Sequence, residues 1–226
     1  YNFYGDNMKY YKYSYKEKII PIVFVLLIVI VLFLPLEISS PNGLLIDIPL
    51  LILMFILHEV LHAVGFRFFG RAKSKNITYG VNLEKGVFYC TCKEEISKKG
   101  ILISLCLPFI IISLIGGILG IIFSINTLIF LAFYNFFGAC FDILAFIDIL
   151  RLPSDIKYKD LDDEMGFILI SKDDLPKNLI SIDLKEKGVY NKDSIKAKDY
   201  SKIKITNFSK IILIIIFILL ILGIVI

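Results

Sequence analysis

Phe55-Ile56-Leu57-His58-Glu59-Val60-Leu61-His62-Ala63-Val64-Gly65-Phe66 is the stretch on which the reading of this chain turns. It is an H-E-x-x-H pattern set inside an apolar run. Residues four apart share one face of a helix, so His58 and His62 can aim both imidazoles at one metal ion, with Glu59 beside them and close to an activated water. Five-residue patterns with two free positions arise by chance, but the chain holds only 2 His and both fall here. The flanks, residues 51–57 and 63–69, are so apolar that the helix reads as membrane-embedded, where ionisable side chains are costly and mark function.

Working outward, 57% of the 226 residues are hydrophobic and the mean hydropathy is +0.78, more than a soluble domain of this length hides from water. Five apolar segments stand out, at residues 19–36, 48–69, 101–123, 128–150 and 211–226, most near the ~20 residues that cross a bilayer. The expected fold is an all-α polytopic membrane protein with about five transmembrane helices. A cytoplasmic β-hairpin is expected between the second and third, and a polar cytoplasmic segment before the last. The corresponding division is an interfacial N-terminal arm (1–18), a membrane-embedded core (19–150), a cytoplasmic segment of undefined fold (151–210) and a C-terminal helix (211–226). A basic stretch precedes the first segment, but its length and the lack of an A-x-A-like cleavage site argue for a retained helix. The start at Tyr1 and the end inside an apolar run are compatible with a fragment.

The 25 Lys and Arg fall in three places: residues 9–18, 67–99 and 151–210. That bias assigns the N-terminus, the 70–100 loop and the 151–210 segment to the cytoplasm of a multi-pass cell-membrane protein. The net charge of +4 then reflects topology and contact with membrane lipid, and no basic stripe with stacking aromatics points to nucleic acid. Cys90, Cys92, Cys106 and Cys140 lie on the cytoplasmic loop or inside helices, where disulfides are not expected. Cys90-x-Cys92 lacks the second pair of a structural zinc site and reads as part of a strand.

Residues 77–83 and 87–92 are β-prone runs separated by Glu84-Lys85-Gly86, a hairpin signal. Such a hairpin could offer an edge strand to an extended peptide. Pro108 is expected to kink the third helix. Within 151–210, residues 167–170 and 179–184 look strand-like and 188–190 could follow a turn, which allows a small β-containing appendage, with a flexible regulatory segment an equal alternative. In the fourth apolar segment, Asn135, Gly138 and Asp142 are spaced i, i+3, i+7 and share a helix face. Counted back from the helix ends at 1.5 Å per residue, His62 lies ~10 Å and Asp142 ~12 Å inside the same boundary, so one metal could bridge them. Asp148 falls off that face, near Arg151, and reads as a charge-paired or snorkelling residue.

His58-Glu59-x-x-His62 in one helix with Asn135-x-x-Gly138-x-x-x-Asp142 in a later one resembles the site-2 protease group of intramembrane zinc metalloproteases. The resemblance is closer to the small bacterial zincin peptidases related to that group. The group's third ligand is an Asp in N-x-x-P-x-x-x-L-D-G; here Gly138 stands in the Pro position and Asp142 follows Asn135 by seven residues instead of eight. The resemblance implies a zinc metallopeptidase acting on a membrane-anchored protein or peptide. His58, His62 and Asp142 would hold Zn²⁺, Glu59 would be the general base, and Asn135 would bond the scissile carbonyl or orient the substrate strand. Glu94 or Glu95 as third ligand is a rival assignment. A catalytically silent zinc-containing membrane binding or chaperone protein is a rival function, and a transporter a weaker one, since the chain has no inverted repeat of broken helices. Glu59 favours the enzyme, because a structural site needs no general base.

Overall fold

A computed structural model describes residues 8–16, 19, 21–22, 25, 41–82, 87–160, 167–176 and 179–189. The apolar segment at 211–226 lies outside the described residues, as does most of 19–36.

Helix α1 (Leu44–Val64) runs into a π-turn at Gly65–Phe69. A β-hairpin follows, with β2 (Ile77–Asn82) paired antiparallel to β3 (Val87–Cys92). After the short β4 (Ile96–Ser97), α2 (Lys98–Pro108) passes through a π segment (Phe109–Ile115) into α3 (Gly116–Ile122). Two helical stretches of 25 residues, Leu45–Phe69 and Lys98–Ile122, are long and apolar enough to cross a bilayer. The fourth apolar segment is not one straight helix. It splits at Ala139 into α4 (Asn126–Gly138) and α5 (Cys140–Leu150), bent by 51°, and makes a third span if the bent pair is counted as one.

The chain is not all-α. Besides the hairpin, it builds a five-stranded sheet in the order β4-β5-β6-β1-β7, with β1 at Lys9–Tyr15, β5 at Lys157–Asp160, β6 at Phe167–Ser171 and β7 at Ile182–Val189. The correction starts with β1. Its aromatic and basic composition suits a headgroup layer, yet Tyr11, Tyr13 and Tyr15 recur with period two, the pattern of a strand with one buried face. Tyr11 and Tyr13 are buried. β1 inserts antiparallel between β6 and β7. A register shift opposite Tyr10 and Tyr11 is accommodated at Gly188, whose φ of +117° is strained for any residue with a Cβ.

The main core lies between this sheet and the basic ends of the helices. Tyr11, Tyr13, Tyr158 and Ile182 from the sheet pack with Phe66, Ile101, Leu105 and Ile149 from the helices. The opposite ends keep Leu53, Ile121, Ile122 and Phe123 more than 60% exposed, an apolar surface that water would penalise and lipid would not.

Candidate metal centre

The structure brings His58, His62 and Asp142 together, with ligand-capable atoms within 4.8 Å of one another. His58 Nε2 lies 3.1 Å from His62 Nε2, and the two lie 3.2 and 3.3 Å from Asp142 Oδ2. Both histidines are buried, and the Asp142 side chain is 20% exposed.

The hydrogen-bond partners behind the rings fix the far ring nitrogens as donors. Asn135 is fully buried, and its amide nitrogen faces the Pro108 carbonyl at 3.0 Å and Ser113 Oγ at 2.8 Å. A carbonyl only accepts, so Oδ1 is the atom turned to His58 Nδ1, 2.8 Å away, and that ring nitrogen donates. His62 Nδ1 likewise faces only a carbonyl, that of Ser104 at 3.0 Å, and donates to it. In their neutral form both rings present an Nε2 lone pair to the same point, where a carboxylate oxygen also arrives. Three acceptors facing each other repel unless a cation lies among them. Their 3.1–3.3 Å spacings match the edges of about 3.3 Å expected between ligands in tetrahedral zinc coordination with bonds near 2.0–2.1 Å. Two neutral imidazoles, one carboxylate and an oriented acceptor behind a ring are the donor set of a catalytic zinc site, and the residues fit that ion.

Sequence features explain each placement. Pro108 lacks the N–H that would occupy the Ser104 carbonyl one helical turn back, which leaves that oxygen to receive His62. Ser104 returns its hydroxyl to the His62 carbonyl at 2.8 Å. Such closeness needs Gly65, where a Cβ would lie 2.4 Å from the Ser104 Cα. The break at Ala139 re-aims α5. Asn135 on α4 and Asp142 on α5 thus reach two nitrogens of the same ring, although they do not share one continuous helix face.

Glu59 sits half-buried on the hairpin side, its carboxylate accepting from the backbone N–H of Cys90. Phe55 stacks on Phe88 of β3, with centroids 6.2 Å apart, which sets the hairpin beside α1. Asn135, expected to touch substrate, instead uses all its polar atoms on His58, Pro108 and Ser113. Glu94 bonds Asn76 and the Lys73 amide, and Glu95 pairs with Lys157 at 3.0 Å, so neither reaches the histidines. Burial raises the thiols of Cys90 and Cys92, the latter to about 12, as suits packed strand residues.

Asp148 is fully buried and has no share in the metal cluster. It accepts from the amides of Ile180 and Ser181 at 2.7 and 2.8 Å and from Ser181 Oγ at 2.5 Å, fastening α5 to the segment before β7. Neither Arg151 pairing nor snorkelling describes it. Ser104, Pro108 and Ser113 were not among the expected site residues. The one legible signal was a proline four positions after Ser104.

Residues 51–157 match the sequence model of a family described as "Putative zincin peptidase". The match supports a zinc-dependent peptidase and covers the histidines, Glu59, Asn135 and Asp142, while β1, β6 and β7 fall outside it. No curated protein and no solved structure matches the chain.

Proposed function

We propose that this chain is an intramembrane zinc metallopeptidase of the site-2-protease type that cleaves membrane-anchored proteins or peptides. The observation that carries this reading is the meeting of two histidine ring nitrogens and a carboxylate oxygen, with Glu59 beside them, within helices apolar enough for a bilayer. His58, His62 and Asp142 would hold the ion. When bound, Zn²⁺ supplies Lewis acidity to the attacking water and the scissile carbonyl. Glu59 takes the proton of that water and delivers it to the departing amine nitrogen. Asn135 and the Ser104 carbonyl keep both rings in the Nδ1–H form, with Nε2 turned inward.

The hairpin supports a peptide substrate. Cys90 and Cys92 turn their backbone N–H groups away from β2, toward Glu59 and Asp160 respectively, so the outer edge of β3 runs past the general base. A helical segment keeps its carbonyls hydrogen-bonded, so a substrate segment would have to reach the metal in extended form beside the hairpin. The charge bias supports a cytoplasmic position for this side.

Glu59→Gln tests the reading, since the amide cannot take a proton yet leaves both imidazoles in place. Purified wild type should contain about one zinc per chain and cleave a single-span membrane protein. The variant should keep the zinc and lose cleavage by ~100-fold or more. Zinc-loaded wild type with no hydrolysis of any membrane-anchored substrate would favour the silent binding protein instead.

A further inference from the structure

We infer that the cleft where the two long helical stretches meet the hairpin and sheet is a binding site for the phosphate headgroup of an anionic phospholipid. This rests on the helices' lying in a membrane and is independent of the zinc centre. The cleft, of about 510 Å³, is lined by Phe68, Phe69, Arg71, Ser97, Lys99 and Lys157. Its size suits a headgroup. One stretch ends at Phe69 and the other begins at Lys98, so the cleft lies where both leave the apolar layer.

Its chemistry is divided in the way a lipid headgroup demands. Phe68 and Phe69 are 72% and 47% exposed, an apolar rim that would dip among acyl chains. The rest of the lining brings together three cations, Arg71 on the loop, Lys99 on α2 and Lys157 on β5, and the carboxylate of Glu95. Lys157 is paired with Glu95, whereas no ion pair or hydrogen bond joins the Arg71 or Lys99 side chain to another group among the described residues. Arg71 has a φ of 60°, a left-handed conformation uncommon for a residue with a side chain. Bonds on both sides hold it there: Gly70 N–H to the Gly65 carbonyl, Ala72 N–H to the Phe66 carbonyl, and Arg67 Nη1 to the Ala72 carbonyl at 3.1 Å. The floor is tight, since a Cβ on Gly100 would lie 2.6 Å from the Gly70 Cα. A guanidinium and an ammonium are thus presented beside exposed phenyl rings, which suits a phosphate ester whose tails remain in the bilayer.

The test uses the full chain in neutral detergent, with native mass spectrometry reading retained lipid after incubation with phosphatidylglycerol or phosphatidylcholine. Phosphatidylglycerol should be retained preferentially by wild type. The double variant Arg71→Gly, Lys99→Ala should lose that preference by roughly tenfold or more, as two cations within reach of a phosphate imply. Glycine suits the Arg71 backbone, so loss through misfolding is not expected, and thermal unfolding of the variant checks this. Lys73→Ala, Lys75→Ala removes the same charge from exposed positions of the same loop outside the cleft and should keep the preference. Equal losses in the two double variants, or equal retention of the two lipids by wild type, would overturn the site. Inorganic phosphate displacing the lipid at millimolar concentration would assign the cleft to a free anion and overturn the lipid assignment.

Discussion

Helix α5 carries two aspartates six residues apart, and their surroundings are opposite in kind. Asp148 meets only donors: two backbone amides and a hydroxyl satisfy both of its oxygens. Asp142 meets two ring nitrogens that are acceptors in the neutral rings, whose far nitrogens are already the donors. A carboxylate among donors is complete in itself and cements a fold, whereas a carboxylate among acceptors is complete only with a cation. In the sequence both are simply Asp in an apolar helix. What separates them is the protonation of neighbours that lie between 32 and 84 positions away in the chain.

The largest expected effect breaks that contrast directly. Asp142→Ala should empty the zinc site, because a replacement water holds the ion far less well than a fixed carboxylate, yet leave thermal stability of the metal-free protein little changed. Asp148→Ala should do the reverse. It strands two amides and costs about 2–4 kcal/mol of stability, with zinc stoichiometry retained in the folded fraction. Zinc content and unfolding measured on both variants check this pair, and an Asp148→Ala protein that folds normally but lacks zinc would reverse the roles assigned here.

A smaller effect is expected at Asn135. Asn135→Ala removes the acceptor that holds the proton on His58 Nδ1 and should weaken zinc binding about 10–100-fold. Competition with a chelator reads this without any substrate. An unchanged affinity would mean that the ring is oriented by packing alone.

These cases show where the sequence is transparent. His58 and His62 were legible because the helix sets their separation, and a local rule needs no tertiary information. Asp142 stands with the histidines as its spacing from Asn135 suggests, although the bend at Ala139 makes the shared face with Asn135 a coincidence of two helices. Asn135 was found, but its direction was not, since pointing toward His58 or toward substrate depends on how α4 packs. The Ser104 carbonyl has no side-chain signature at all. The strand character of β1 is hidden for another reason. Tyr and Lys suit both a headgroup layer and a strand, and the partners that choose between them, Ile168 to Ser171 and Ile182 to Val189, lie more than 150 residues along the chain. Non-local pairing leaves only the period-two alternation of tyrosines as its trace.

The smallest expected effect concerns the seam between that strand and α5. Tyr15, the last residue of β1, donates its hydroxyl to the Phe141 carbonyl at 2.9 Å, one position before Asp142, and its ring meets the Phe141 ring edge-on with centroids 5.0 Å apart. The Phe141 carbonyl also lies in the first turn of α5, where the helix ladder supplies a second donor, so losing the hydroxyl leaves it satisfied. Tyr15→Phe keeps the ring contact and should therefore cost only about 0.5–1.5 kcal/mol, with zinc content unchanged. Tyr15→Ala also removes the ring and should cost more, loosening the start of α5 where Asp142 stands. Amide hydrogen exchange across residues 140–150 distinguishes the two substitutions. Protection should fall slightly in the first and clearly in the second. If both leave α5 protected as in wild type, the Asp148 bonds and core packing suffice to hold the helix, and β1 contributes nothing to the placement of Asp142.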